Sequence, residues 1–157
     1  HLPAQRINVD ICALPSYERK PMLLLNPYGV EMGTNGLIIQ TQSKGEIYTD
    51  KLLAFALRAN RVKYRDLWDI AWLHQQKIKP NFDLLDYKLK DRQISKDYFL
   101  QLFIERKNLI SSNKVMAVEF KKEMLRFLPM KNIDFEQLWL SIVYLIDDLL
   151  GYILRSN

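Results

Sequence analysis

The sequence predicts an α+β fold, a small N-terminal sheet followed by a helical bundle, and three observations carry that expectation. Residues 6–13 alternate, with Ile7, Val9 and Ile11 on one face and Asn8, Asp10 and Cys12 on the other, the period of a half-buried strand. Pro15, Pro21, Pro27, Gly29 and the pair Asn35-Gly36 break up the next stretch, and Asn-Gly supplies the positive φ that a tight hairpin turn needs. From Ser43 onward, apolar residues return at helical spacing behind repeated helix-start signals.

Between the two patterns, Leu23-Leu24-Leu25 is a short apolar run suited to an edge strand or a loop anchor. Residues 37–41 read as a strand after the turn. Ser43 with Glu46 three residues later is a capping box, in which hydroxyl and carboxylate each satisfy a free N–H at a helix start. The helix that follows is expected over 44–57, and a second over 64–76 carries Leu67, Trp68, Ile70 and Trp72. Further helices are expected over 82–90, over 96–110 behind Ser95, over 113–128 before Pro129, and over 135–154 behind Asp134. Leu138, Ile142, Leu145 and Leu149 form the inner stripe of the last one. Trp68, Trp72 and Trp139 are expected in the core rather than on a stacking platform.

Composition narrows the class of protein. The chain has 157 residues, 48% hydrophobic and 11% aromatic, enough for a sizeable core and too apolar for disorder. The longest apolar stretch, 138–154, is interrupted by Asp147, Asp148 and Gly151, so it reads as a buried helix and no membrane partner is expected. A lone cysteine excludes an internal disulfide framework, and no secretory pattern opens the chain. These features lead to the expectation of a cytoplasmic protein. The net charge of +5 fits a phosphate-bearing partner, and fits a lysine-rich solvated surface equally well.

Three segments carry candidate chemistry. Val9-Asp10-Ile11 places a carboxylate between strand anchors, as a rigid Mg²⁺ site requires, although a solvent-facing aspartate on an edge strand looks the same. Lys51 and Arg58 lie seven positions apart along one helical face. Two such cations can hold a polyphosphate, or simply decorate a surface and a helix C-terminus. Asp66 and Asp69 are neighbours at i and i+3 behind Arg65, which suits either a site or a charged tie between two helices. Cys12 and His74 lack partners for nucleophilic or metal chemistry.

The order Glu46-Ile47-x-x-Asp50-Lys51-Leu52-x-Ala54, then Arg58, then Arg65-Asp66-Leu67-x-Asp69-Ile70 resembles the signature of the AbiEii/AbiGii nucleotidyltransferase toxins. The likeness covers about residues 6–76. It implies a polymerase-β-like nucleotidyltransferase core, of which residues 1–42 retain part of the sheet while residues 43–157 form a helical domain. It implies that Asp10 matches the third metal-binding carboxylate, Lys51 the essential phosphate-contacting lysine, and Asp66 the essential aspartate that orients or deprotonates a reacting group. Asp69 matches a supporting acidic position, and Arg58 and Arg65 are carried over as nucleotide-binding residues. An NTP substrate, Mg²⁺, an RNA (tRNA) or protein acceptor, an antitoxin and a role in abortive infection are implied with them.

The departure from the family pattern is equally specific. No Gly-Ser or Gly-Gly followed by Asp-x-Asp occurs in the chain, and it opens His1-Leu2-Pro3-Ala4 almost directly into a strand pattern. The expectation is therefore the C-terminal part of a longer protein, inactive alone and prone to homodimerise through open strand edges. The rival expectation is a non-catalytic helical module that binds RNA or protein.

Overall fold

A computed structural model describes residues 13–25, 33, 36–59, 61–128 and 133–155. Asp10, Cys12 and the strand expected before Ala13 lie outside the described residues. The architecture is α+β, a two-stranded antiparallel sheet followed by six helices among the described residues. Strand β1 (Arg19–Leu23) pairs with β2 (Ile38–Gln42), with Arg19 opposite Gln42 and Leu23 opposite Ile38. The first strand thus precedes most of the Leu23–Leu25 run and contains Pro21, which the sequence suggested as a break. The register explains the tolerance. Ser43 N–H donates to the Glu18 carbonyl and Leu24 N–H to the Leu37 carbonyl, each at 2.8 Å. Antiparallel pairs alternate, so Pro21 opposite Gln40 falls on a pair that exchanges no hydrogen bonds. Gly33 and Gly36 carry φ of 64° and 78°, as the expected turn requires.

The helices follow their caps. Helix α1 spans Lys44–Leu57, α2 Tyr64–Gln75, α3 Asp83–Asp91, α4 Lys96–Ser112, α5 Lys114–Met124 and α6 Phe135–Arg155. Ser43 Oγ accepts from Glu46 N–H at 3.0 Å, Ser95 Oγ from Tyr98 N–H at 3.2 Å, and Asp134 Oδ1 from the N–H groups of Glu136 and Gln137. The capping box is one-sided, because Ser43 N–H is taken by β1's approach and Glu46 turns to other partners. Helix α5 stops short of the expected 128 and loosens into turns before Pro129, whose ring disfavours helical geometry in the residue ahead of it.

The core lies among the helices. Helix α1 packs on α2 and α4, while α6 runs against α2, α4 and α5. Leu52, Leu67, Phe99, Phe103, Phe120 and Ile142 are fully buried there. Helix α6 buries Phe135, Trp139, Ile142, Ile146, Leu149 and Ile153, so Leu138 and Leu145 flank the stripe instead of lying within it. At 21 residues, with an 18-residue stretch of mean hydropathy 1.4, α6 is long and apolar enough to cross a membrane by length and composition alone. Its inner face instead closes the core, with Ile142, Ile146 and Ile153 fully buried. Trp139 is buried and Trp68 packs against the core, but Trp72 is 43% exposed. Helix α2 turns Leu67, Ile70 and Leu73 inward, and Trp72 follows the opposite side. Strands β1 and β2 stay largely exposed, including Met22, Leu23 and Ile38.

Candidate functional site

Helices α1 and α2 meet around one carboxylate. Lys51 lies midway along α1, Arg58 is its C-cap, and Asp66 sits in the first turn of α2. Lys51 Nζ is 3.0 Å from Asp66 Oδ1, and Arg58 Nη2 is 2.9 Å from Asp66 Oδ2. Lys51 Nζ also lies 2.6 Å from Asp69 Oδ2. The four residues singled out by spacing therefore form one constellation. The side chain of Asp66 is only 4% exposed, and both its oxygens accept charge-assisted hydrogen bonds. The two cations supply the compensating charge that a carboxylate this buried needs. Burial works against the charge on Lys51, but Asp69 and Asp66 outweigh it and raise the lysine's pKa. Arg106 Nη2 on α4 donates to the Arg58 carbonyl at 2.8 Å, tying a third helix to this corner.

Arg65 stands apart from the constellation. Its guanidinium lies 3.5 Å over the centre of the Phe127 ring, and its Nε is 3.8 Å from Glu123. Asp10, the expected metal carboxylate, lies outside the described residues.

A second charged cluster, missed by reading motifs, lies on the other side of α1. Glu46 is fully buried, and its carboxylate accepts from Ser16 Oγ at 3.0 Å, Tyr17 N–H at 2.9 Å and Glu18 N–H at 2.7 Å. Lys88 Nζ on α3, itself 2% exposed, completes the set at 2.7 Å. The same ammonium bonds the carboxylate of Asp50 at 3.0 Å, which also accepts from Gln42 Nε2 at 2.9 Å. Glu18 in turn accepts from Ser43 Oγ and from Asn81 Nδ2. Desolvation pushes the Glu46 pKa up, but Lys88, the two backbone N–H groups and Ser16 overcome it and hold the group at about 2. The signal for Lys88 was present in the sequence. It occupies an inward position of α3 beside Leu84, Leu85 and Leu89, where a lysine needs a buried acid. Asp50 and Lys51 are adjacent in sequence, so the two clusters share one turn of α1. The Glu46 cluster anchors residues 16–18, and the Asp66 cluster anchors α2.

The described residues do not build a Mg²⁺ site. Among them no group of three His, Cys, Asp or Glu side chains converges, and both oxygens of Asp66 are occupied by cations. What the constellation offers is a lysine and an arginine held ready on a buried carboxylate.

The model of one protein family, described as the nucleotidyl transferase AbiEii toxin of type IV toxin–antitoxin systems, matches residues 1–140. No curated protein and no solved structure matches the chain significantly. The family match spans both charged clusters and the helices that carry them. On that match, and in agreement with the resemblance carried by Lys51, Arg58 and Asp66, the chain belongs to the AbiEii family of nucleotidyl transferase toxins.

Proposed function

We propose that the chain serves a toxin that transfers a nucleotide from an NTP to an RNA, in particular a tRNA, or to a protein acceptor. The observation that carries this reading is the Lys51–Asp66–Arg58 constellation at the junction of α1 and α2. In this reading Lys51 exchanges part of its contact with Asp69 for a phosphate oxygen of the nucleotide. Asp66 stays buried, keeps Lys51 and Arg58 aimed, and through them orients the reacting group. Arg58 shares the phosphate charge. Arg65, on its Phe127 platform, is the outermost of the nucleotide-binding residues we assign. Such sites act mainly by positioning and by stabilising charge that develops on the transferred phosphoryl group. Mg²⁺ would supply charge stabilisation for the transferred phosphoryl group, with Asp10 as its candidate ligand. The toxin–antitoxin family supports an antitoxin partner, and we extend the reading to a role in abortive infection.

We also infer that these 157 residues do not turn over alone, since they contain no Gly-Ser or Gly-Gly followed by Asp-x-Asp. A second reading, a non-catalytic helical module that binds RNA or protein, draws on one observation. Lys51 and Arg58 are each already paired with a carboxylate, as a purely structural tie between helices would be.

The test is transfer of label from each of the four NTPs with Mg²⁺ and total cellular RNA, using the full-length protein. Label appearing in RNA, or in a protein added from lysate, supports the enzyme. A folded, intact protein that labels neither supports the module.

A further inference from the structure

A group of unpaired cations among the described residues lies outside the Asp66 constellation. A cavity of about 590 Å³ opens where the start of α2 meets the end of α4 and the length of α5. Its wall holds five cations, Arg61, Lys63, Arg65, Arg106 and Arg126, against two carboxylates, Glu119 and Glu123. Both carboxylates have partners: Glu119 accepts from the Tyr64 hydroxyl at 2.7 Å, and Glu123 faces Arg65 at 3.8 Å. Among the described residues, Arg61, Lys63 and Arg126 form no ion pair. No side chain caps the start of α2 at Lys63, so its positive end adds to the same field. The stacked pair of Arg65 and Phe127 puts a planar cation and an aromatic ring on one wall. That combination suits a ligand with a phosphate at one end and a flat ring at the other.

We propose that this α2/α4/α5 cavity binds a phosphorylated nucleotide unit, either a free nucleotide or one residue of an RNA strand. Its volume falls in the range of small-ligand pockets. Arg61, Lys63 and Arg126 take the phosphate, and the base lies against the Arg65–Phe127 stack. The cavity lies beyond the Lys51–Asp66 pair, shares Arg65 with the nucleotide-binding residues assigned above, and is mechanically joined to that site, because Arg106 lines the cavity and holds the Arg58 carbonyl. The proposal does not depend on nucleotide transfer. Binding alone tests it, without turnover and without Mg²⁺.

The experiment measures equilibrium binding of two probes, UTP carrying a fluorophore on the ribose and a fluorescein-labelled ten-residue oligoribonucleotide, each over a salt series in EDTA. The variants are Arg61→Ala/Arg126→Ala and, as a control of equal charge change, Lys121→Ala/Lys122→Ala on the exposed side of α5. The expected result is at least about tenfold weaker binding of one or both probes in the arginine pair, with a shallower salt dependence. The lysine pair should stay within about twofold of the unaltered protein. Loss for UTP alone identifies a free nucleotide as the ligand, and loss for the oligonucleotide identifies an RNA strand. Equal loss in both variants overturns the proposal, because bulk charge then explains binding. Failure of the unaltered protein to bind either probe also overturns it. Arg126→Lys, which keeps the charge, should restore most of the affinity and guards against a folding defect in the alanine pair.

Discussion

Replacing Glu46 by glutamine removes one negative charge from the most buried ion pair described, and its cost can be worked from the structure. The carboxyl titrates at about 2 in the fold against an ordinary 4.5. At about 1.4 kcal/mol per tenfold change, that gap corresponds to about 3 kcal/mol of stability. The direction follows from the sign of the shift. The folded state holds the proton less tightly than the unfolded chain, so the contribution is complete well above 4.5 and disappears as pH falls toward 2. Glu46→Gln keeps the size of the side chain and one acceptor for the Tyr17 and Glu18 N–H groups, but leaves Lys88 with Asp50 alone. At pH 7 the variant should be about 3 kcal/mol less stable, which lowers the thermal midpoint by about 6–12 °C for a chain of this size. The gap between variant and unaltered protein should shrink to about half by pH 3. Urea unfolding followed by tryptophan fluorescence between pH 3 and 7 reads both effects. A loss under about 1 kcal/mol at pH 7, or a gap that does not narrow with acid, refutes the reasoning.

Other substitutions separate structure from chemistry. Asp66→Ala strips two cations of a buried partner and should cost about 3–4 kcal/mol. Lys51→Ala leaves Asp66 bonded to Arg58 and should cost about 1–2 kcal/mol, so the reverse order in urea midpoints contradicts the pairing of Asp66 with both cations. The Tyr48 ring is fully buried and its hydroxyl has no partner among the described residues. Tyr48→Phe should therefore be neutral or stabilising by up to about 1 kcal/mol, and a clear loss in the same assay would show that the hydroxyl is in use.

Much of the helical half was legible because its signals are local. Ser43, Ser95 and Asp134 each announce a helix start through their own side chains, and α1 begins and ends where spacing and capping put it. The α6 stripe was displaced toward Trp139 and Ile146 because a helix this apolar offers several plausible faces, and only its neighbours choose among them. The Asp66 constellation was legible as residue types at the right intervals, with Lys51 and Arg58 two turns apart and Asp66 beyond the loop. Its internal pairing was not, since spacing along one helix cannot say which acid on the next will meet it. Glu46 shows the limit most clearly. Three residues after a serine it reads as half of a capping box, yet four partners far away in sequence claim its carboxylate. Lys88 lies 42 positions further on, in a helix whose packing no local pattern specifies.

The central claim is that Lys51 and Asp66 belong to a nucleotide-transfer site and are not merely a tie between α1 and α2. The direct test is labelled-NTP transfer by the full-length protein carrying Lys51→Ala or Asp66→Asn, with each variant assayed below its own unfolding midpoint. The account predicts transfer at least about a hundredfold slower in both folded variants, the loss expected when a group that stabilises developing charge is removed. Folded variants that transfer label at close to the unaltered rate would contradict it, and would leave the constellation as a structural clamp.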